Sequence, residues 1–267
     1  MLVRTADGVD IAYAIQGDGG GNRDTVVLVN GLGDPMEAWD QQVPALTDAG
    51  YRVVTLNNRG VSPSSAPPGP YSIEQMADDV HEVVQAVRPG QPFHLVGVSL
   101  GGAVAQRYAL DHPAELASLT LLSTFAEPGA HFRSVIRLWR EAIGQLGLAF
   151  VMRDAVTRCL TPEFYLEHPD EVRSIEEDLE LVDMSVAAFI AQLDAIEATD
   201  LTAELASIDV PTRLVIARDD QLIHSSLGHV VAETIPGASV VSVPGGHLSF
   251  VERAEEVDAA ILASLRS

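Results

Sequence analysis

One serine, framed by glycines, is the residue of this chain best placed to act as a nucleophile. Ser99 follows the apolar run FHLVGV and precedes a helix-like pattern, with Gly97 two residues before it and Gly101 two residues after it. On a tight strand-to-helix turn, larger side chains at those flanks would collide with the neighbouring strand and helix. The turn lifts the hydroxyl clear of the backbone and aims the first N–H groups of the helix at the space above it. The motif therefore predicts a nucleophilic serine.

A serine hydroxyl is a weak nucleophile, so it needs a general base and a third group that orients the base. Among the eight histidines, His247 follows the last strand-like run in the loop PGGHLSF, which should lie on the same sheet edge as Ser99. Most of the others fall within strand or helix patterns and are interpreted as surface or packed residues. His224 is harder to set aside, because it follows a candidate acid by four residues.

Two adjacent carboxylates are candidates for the orienting acid. The strand-like run TRLVIA leads into Arg218, Asp219 and Asp220, again at the carboxyl end of a strand. The residues themselves leave both open, since a carboxylate that does not orient the base could instead cap the next helix.

Acyl transfer also needs two backbone donors for the developing oxyanion, each worth about 3–4 kcal/mol in comparable sites. The N–H of Leu100, directly after Ser99, is one predicted donor. The turn NGLG at 30–33 follows the strand-like run TVVLVN, and it predicts Leu32 as the second donor.

The pattern around these residues predicts an α/β fold with a mostly parallel, doubly wound sheet. Short β-branched runs alternate with helix candidates at about 36–49, 73–87 and 101–112, and the alternation returns after residue 210. We therefore assign residues 1–125 and 207–267 to one core domain. Residues 126–206 lack strand-like runs and read as a helical insertion between the sixth and seventh strands, called the cap below. Its aromatic residues, Trp139 among them, should face the sheet edge that carries Ser99.

Composition excludes several classes of partner. The chain has 38 acidic and 16 basic residues, a formal charge of −22, and every basic residue is arginine. Such a surface repels nucleic acid and anionic lipid. The single cysteine, Cys159, rules out an internal disulfide and provides no metal cluster. With neither a signal-like start nor a membrane-length apolar run, the expected location is the cytoplasm.

Taken together, the sequence resembles the α/β-hydrolase superfamily, and over nearly its whole length the branch that contains 3-oxoadipate enol-lactonases. The matching segments are NGLGDPMEAWDQQVPAL, PPGPYSIEQMADDV, GVSLGG, TPEFYLEHP, AIEATDLTAELASIDVPTRLVIA and GGHLSFVE. The resemblance implies the chain order Ser99, acid, His247. It also favours Asp220 over Asp219, because the acid of this fold usually precedes a proline by four residues and His224 holds that place here. Asn30 fits the branch.

The resemblance further implies a cap arginine that holds a substrate carboxylate, and Arg158 matches it. The tryptophan that follows this arginine in the family is Cys159 here, the second residue of the oxyanion turn is Gly31, and NNRG at 57–60 replaces a segment led by aspartate. These departures indicate a changed pocket. We expect Arg158 and Trp139 to bind substrate, although Arg158 could equally form an ion pair on the cap surface.

The sequence thus predicts a serine esterase or lactonase that acts on a small or medium carboxylic ester or lactone, with a Ser-His-Asp triad and no metal, nucleotide or flavin. Two alternatives use the same fold. One is a biosynthetic tailoring enzyme that performs cyclisation, C–C cleavage or another non-hydrolytic step. The other is a ligand receptor that retains the triad.

Overall fold

An eight-stranded sheet forms the centre of the computed structural model, which describes residues 1–17, 25–87 and 92–266. The strand order is β1-β2-β4-β3-β5-β6-β7-β8, with β1 and β2 antiparallel to their neighbours and all other pairs parallel. The strands are β1 (Leu2–Arg4), β2 (Asp10–Gln16), β3 (Thr25–Val29), β4 (Arg52–Leu56), β5 (Phe93–Val98), β6 (Leu116–Leu122), β7 (Thr212–Ala217) and β8 (Ser239–Val243).

Helices cover both faces of this sheet. The inner strands are therefore buried on both sides. Along β3, Val26 and Leu28 pack in one apolar cluster while Val27 and Val29 pack in another, as the two-residue period of a strand requires. The helices outside the cap are α1 (Gln42–Asp48), α2 (Ile73–Val87), α3 (Leu100–Asp111), α9 (Ser225–Thr234), α10 (Ser249–Glu252) and α11 (Ala254–Ser264). The predicted doubly wound α/β fold is confirmed.

The cap carries five helices between β6 and β7. They are α4 (Ala130–Leu146), α5 (Leu148–Cys159), α6 (Pro162–Glu167), α7 (Pro169–Leu181) and α8 (Val186–Ala198). Pro162 and Pro169 each occupy the first turn of a helix, where a missing N–H costs nothing. The cap is held to the rest of the chain by hydrogen bonds such as that from the Leu248 N–H to the Cys159 carbonyl, 3.1 Å long.

Two local expectations differ from the structure. Residues 36–49 do not form one helix, because a 3₁₀ turn at Met36–Trp39 ends before α1 begins at Gln42. The three-residue strand β1 was not predicted, since it is too short and too exposed to show an alternating pattern. In the described part of the chain, no helix combines the length and apolar character that a membrane span requires.

Candidate active site

Ser99 occupies the sharp turn between β5 and α3. Its backbone has φ 55° and ψ −119°, a conformation that costs energy for any residue with a side chain. Hydrogen bonds hold the turn: the Ser99 N–H donates to the Leu122 carbonyl at 2.9 Å, and the Thr124 hydroxyl donates to the Ser99 carbonyl at 2.7 Å. A side chain at Gly97 or Gly101 would overlap backbone atoms of the neighbouring segments. The glycines that frame Ser99 are therefore required sterically.

His247 and Asp220 are joined in a buried pair at the carboxyl ends of β8 and β7. The His247 Nδ1 lies 2.7 Å from one carboxylate oxygen of Asp220, and the other oxygen accepts the N–H groups of Leu222 and Ile223 at 2.9 and 2.7 Å. Burial by itself would lower the pKa of His247, but the charge and hydrogen bond of Asp220 outweigh burial, and the pKa is raised. The imidazole is thus fixed in orientation and kept basic.

The neighbouring candidates have other partners. Asp219 is exposed, and its carboxylate accepts the Gly245 N–H at 3.3 Å. It therefore ties the two loops together, and the expectation that it caps the next helix is wrong. That cap is His224, whose Nδ1 accepts the Ser226 N–H at 3.2 Å at the start of α9. The structure brings Asp220, and neither of these residues, to His247.

The turn at 30–33, which contains the predicted second oxyanion donor, lies close to Ser99. A Cβ built on Gly31 would be 3.6 Å from the Ser99 Cβ, and Leu32 lines the same cavity as Ser99. Leu100 is the first residue of α3, so its N–H has no carbonyl partner within that helix. Leu32 and Leu100 are thus both near Ser99, one in the turn at 30–33 and the other at the start of α3.

A second carboxylate near His247, besides Asp220, was not predicted from the sequence. Asp34 lines the cavity, and burial raises its pKa from 3.8 to about 6, even though the His247 charge and the Gly31 N–H both favour the ionised form. The charge of Asp34 in turn helps to raise the pKa of His247. The only signal in the sequence was its position, directly after the predicted oxyanion turn.

A cavity of about 740 Å³ opens in front of Ser99, between the cap and the sheet edge. Both Ser99 and His247 line it, and each is at least nine-tenths buried. The described hydrogen bonds include none between the Ser99 hydroxyl and His247, a contact that often forms only once substrate is bound. The apolar wall of the cavity includes side chains of the cap and the core: Phe132, Trp139, Val156, Phe189 and Leu222. The volume suits a small or medium organic molecule.

The two predicted cap contacts differ in their placement. Trp139 lines the cavity and donates its indole N–H to Asp154 at 2.7 Å. The Arg158 guanidinium donates to the same carboxylate at 2.7 Å, and Arg158 is not among the described residues that line the cavity. Cys159, which follows it, does line the cavity, and burial raises the pKa of its thiol. Arg158 thus forms an ion pair with Asp154 on the cap, which corresponds to its alternative interpretation.

Gln192, on α8 of the cap, connects the cap to the oxyanion turn. Its fully buried amide accepts the Gly33 N–H at 2.9 Å and donates to the Arg59 carbonyl at 2.9 Å. No pattern in the sequence could have indicated this role, because it depends on how the cap packs on the core. The contact makes the position of the turn dependent on the cap.

Among the described residues, one group has side chains close enough to share a metal ion. The candidate ligand atoms of His81, His112 and Glu115 lie within 4.8 Å of one another. None of these three residues is among the described residues that line the cavity. The two imidazole rings are stacked at 4.0 Å with an interplanar angle of 8°. Parallel rings hold their lone pairs in separate planes, and Glu115 already accepts the Tyr108 hydroxyl. The geometry is that of a stacked, hydrogen-bonded cluster.

Comparison with known proteins agrees with this architecture. A profile described as "alpha/beta hydrolase fold" matches residues 24–254. The chain is 26% identical over 265 residues to 3-oxoadipate enol-lactonase 2 of Acinetobacter baylyi, covering 98% of this chain and 95% of that protein. It is 29% identical over 253 residues to "Putative carbamate hydrolase RutD" of Variovorax paradoxus, covering 94% of each.

Among solved structures, the enol-lactonase from Burkholderia xenovorans LB400 superposes with a TM-score of 0.92 at 26% identity, covering 100% of each chain. The sequence resemblance to the enol-lactonase branch is thereby confirmed, and the relatives are named as hydrolases. A profile match over most of the chain, together with the sheet order and the elbow, shows that this chain belongs to the α/β-hydrolase fold family.

Proposed function

We propose that the protein is a serine hydrolase that cleaves a carboxylic ester or lactone through an acyl-enzyme on Ser99. The observation that carries the proposal is the convergence of three groups at one cavity. A strained, buried serine and a histidine both line it, and an aspartate at 2.7 Å orients that histidine. Relatives named as an enol-lactonase and a carbamate hydrolase support acyl chemistry of this type.

The residues divide the chemistry as follows. His247 accepts the proton of the Ser99 hydroxyl as its oxygen attacks the carbonyl carbon, and Asp220 stabilises the imidazolium that forms. The N–H groups of Leu32 and Leu100 receive the oxyanion. His247 then gives the proton to the departing alkoxide or enolate. In the second half, His247 removes a proton from water, which attacks the acyl carbon, and His247 then gives that proton to the Ser99 oxygen as the acid is released.

The test is steady-state hydrolysis of p-nitrophenyl acetate, butyrate and octanoate, beside an enol-lactone that bears a free carboxylate. Ser99→Ala is the control, with circular dichroism to show that it folds. We expect turnover of at least one ester by the parent protein and its loss in the variant. A folded parent protein that turns over none of these compounds, or a variant that keeps the rate, would overturn the proposal.

Arg158 is tested separately, because it pairs with Asp154 and is not among the described residues that line the cavity. We expect Arg158→Met to change KM equally for neutral and carboxylate-bearing substrates. A rise in KM confined to the carboxylate-bearing compound would show that this arginine holds substrate after all.

A further inference from the structure

The cavity in front of Ser99 is acidic as well as apolar. Six carboxylate side chains are among its lining residues, and none of the described lining residues is an arginine, while the chain has no lysine at all. They come from both sides of the opening. The segment after β3 contributes Asp34, Glu37 and Asp40, and α7 with the residues after it contributes Glu171, Asp178 and Asp183.

Among the described residues, one of these six carboxylates forms an ion pair, and the charge of His247 acts on Asp34. Among the ion pairs of the described residues, Glu171 lies 3.4 Å from His168, and no pair involves any of the other five. Burial and the nearby charge of Glu37 both raise the pKa of Asp40. The arginine that could have offset them, Arg158, is bound to Asp154.

The acidic residues line the same cavity as the buried serine that is the proposed nucleophile. Ser99 is only 6% exposed, so a substrate that reaches its hydroxyl occupies this cavity and lies near acidic side chains. Clefts lined by charge of one sign focus the field and concentrate ligands of the opposite sign. A carboxylate carried on the acyl chain would instead be placed among like charges.

We propose that this cavity selects acyl substrates by charge, favouring a cationic group over a neutral group and a neutral group over a carboxylate, with Asp34 and the outer carboxylates as the determinants. This inference rests on the proposed hydrolase function. The substrate class it assigns is an ester or lactone with a cationic acyl group, in contrast to a lactone that bears a carboxylate. The acyl chain would lie along the apolar wall, and its charged end would face the acidic residues.

The experiment uses three p-nitrophenyl esters that share a six-carbon acyl chain and differ only in its end, which is a carboxylate, a primary amide or an amidinium. The three ends are nearly the same size and shape. We expect kcat/KM to rise about tenfold at each step from carboxylate to amide to amidinium at low salt, and the steps to shrink at high salt. Background hydrolysis is measured with Ser99→Ala.

Variants then locate the charges responsible. Asp178 and Asp183 are exposed, so the double variant Asp178→Asn with Asp183→Asn should fold. It should reduce the spread, meaning the differences in kcat/KM among the three esters. Asp34→Asn tests the innermost carboxylate in the same way. Glu255→Gln with Glu256→Gln is the matched control, because it removes two exposed charges on α11 that do not line the cavity. That control should leave the spread unchanged.

The outcomes separate this inference from the function beneath it. Ser99-dependent turnover with any other order of the three esters would overturn charge selection while leaving the hydrolase intact. An equal loss of spread in the α11 control would also overturn it, since the field of the whole protein would then be responsible. Absence of Ser99-dependent turnover with all three esters would instead count against the hydrolase itself.

Discussion

Replacement of Asp34 by asparagine should stabilise the protein at neutral and alkaline pH. Burial raises the pKa of this carboxyl from 3.8 to about 6, so the folded state holds the Asp34 proton more tightly than the unfolded chain does. Stability from this group is therefore fully present below pH 4 and is lost as the pH rises to about 6. Above that range the ionised carboxylate destabilises the fold by a constant amount, which asparagine removes.

The magnitude follows from the size of the pKa change. A tenfold change in proton affinity is worth about 1.4 kcal/mol, so the rise from 3.8 to about 6 corresponds to at most about 3 kcal/mol. Asp34 is only partly buried, which reduces the expected gain to about 1–3 kcal/mol, or roughly 3–8 °C in Tm for a chain of this size. The asparagine carbonyl can still accept the Gly31 N–H.

Thermal unfolding of Asp34→Asn and the parent protein at pH 4, 6 and 8 measures this difference. The gain should be small at pH 4 and full at pH 8. The control is Asp48→Asn, the same chemical change at an exposed position that ends α1. A variant less stable than the parent at pH 8, or a gain that does not depend on pH, would refute the reasoning.

The same substitution should alter the pH dependence of activity. Asp34 contributes to the raised pKa of His247, and His247 must be neutral to act as a base. Without the Asp34 charge, the acidic limb of the kcat/KM profile should move to lower pH. A limb that stays in place would show that the Asp34 charge has no effect on the base.

Three further predictions concern other parts of the site and its support. Asp220→Asn should lower kcat by about 10⁴-fold through the wrong imidazole tautomer, whereas Asp219→Asn should have a much smaller effect in the same ester assay. Gly101→Ala should abolish ester turnover, because its Cβ would overlap two carbonyl oxygens at the end of β3; a rate near that of the parent would contradict the packing of the elbow. Asp79→Asn should cost about 3–5 kcal/mol in chemical denaturation, since it leaves the buried Arg59 guanidinium without its main partner, and a cost below 1 kcal/mol would contradict this.

The catalytic candidates could be found from sequence because strand ends mark them. Ser99 directly follows β5, while Asp220 and His247 lie in the short loops after β7 and β8, and parallel strands bring their carboxyl ends to one edge. Local patterns carry that information, so no knowledge of tertiary packing is needed. The choice of Asp220 over its neighbour came from a family spacing, and the 2.7 Å contact with His247 agrees with it.

The composition of the cavity could not be predicted in the same way. Asp34 and the carboxylates of α7 come together at the cavity only when the cap packs on the core, and no local pattern encodes that contact. The same holds for the bond between Gln192 and Gly33. The motif that points to Arg158 is equally silent about its partners in the structure. The position of Arg158 matches the family motif, but an aspartate four residues earlier on the same helix binds it. Pairing within a helix competes with a role in substrate binding, and a motif cannot show which one prevails.

The most direct test of the central claim is covalent labelling with diethyl p-nitrophenyl phosphate, which forms a stable adduct with an activated serine. We expect one equivalent of p-nitrophenol to be released as esterase activity is lost. Peptide mass spectrometry should place one diethylphosphoryl group on Ser99, and the Ser99→Ala protein should remain unlabelled. Stoichiometric labelling of another residue, or full esterase activity in a protein that resists labelling, would contradict the assignment of Ser99 as the nucleophile.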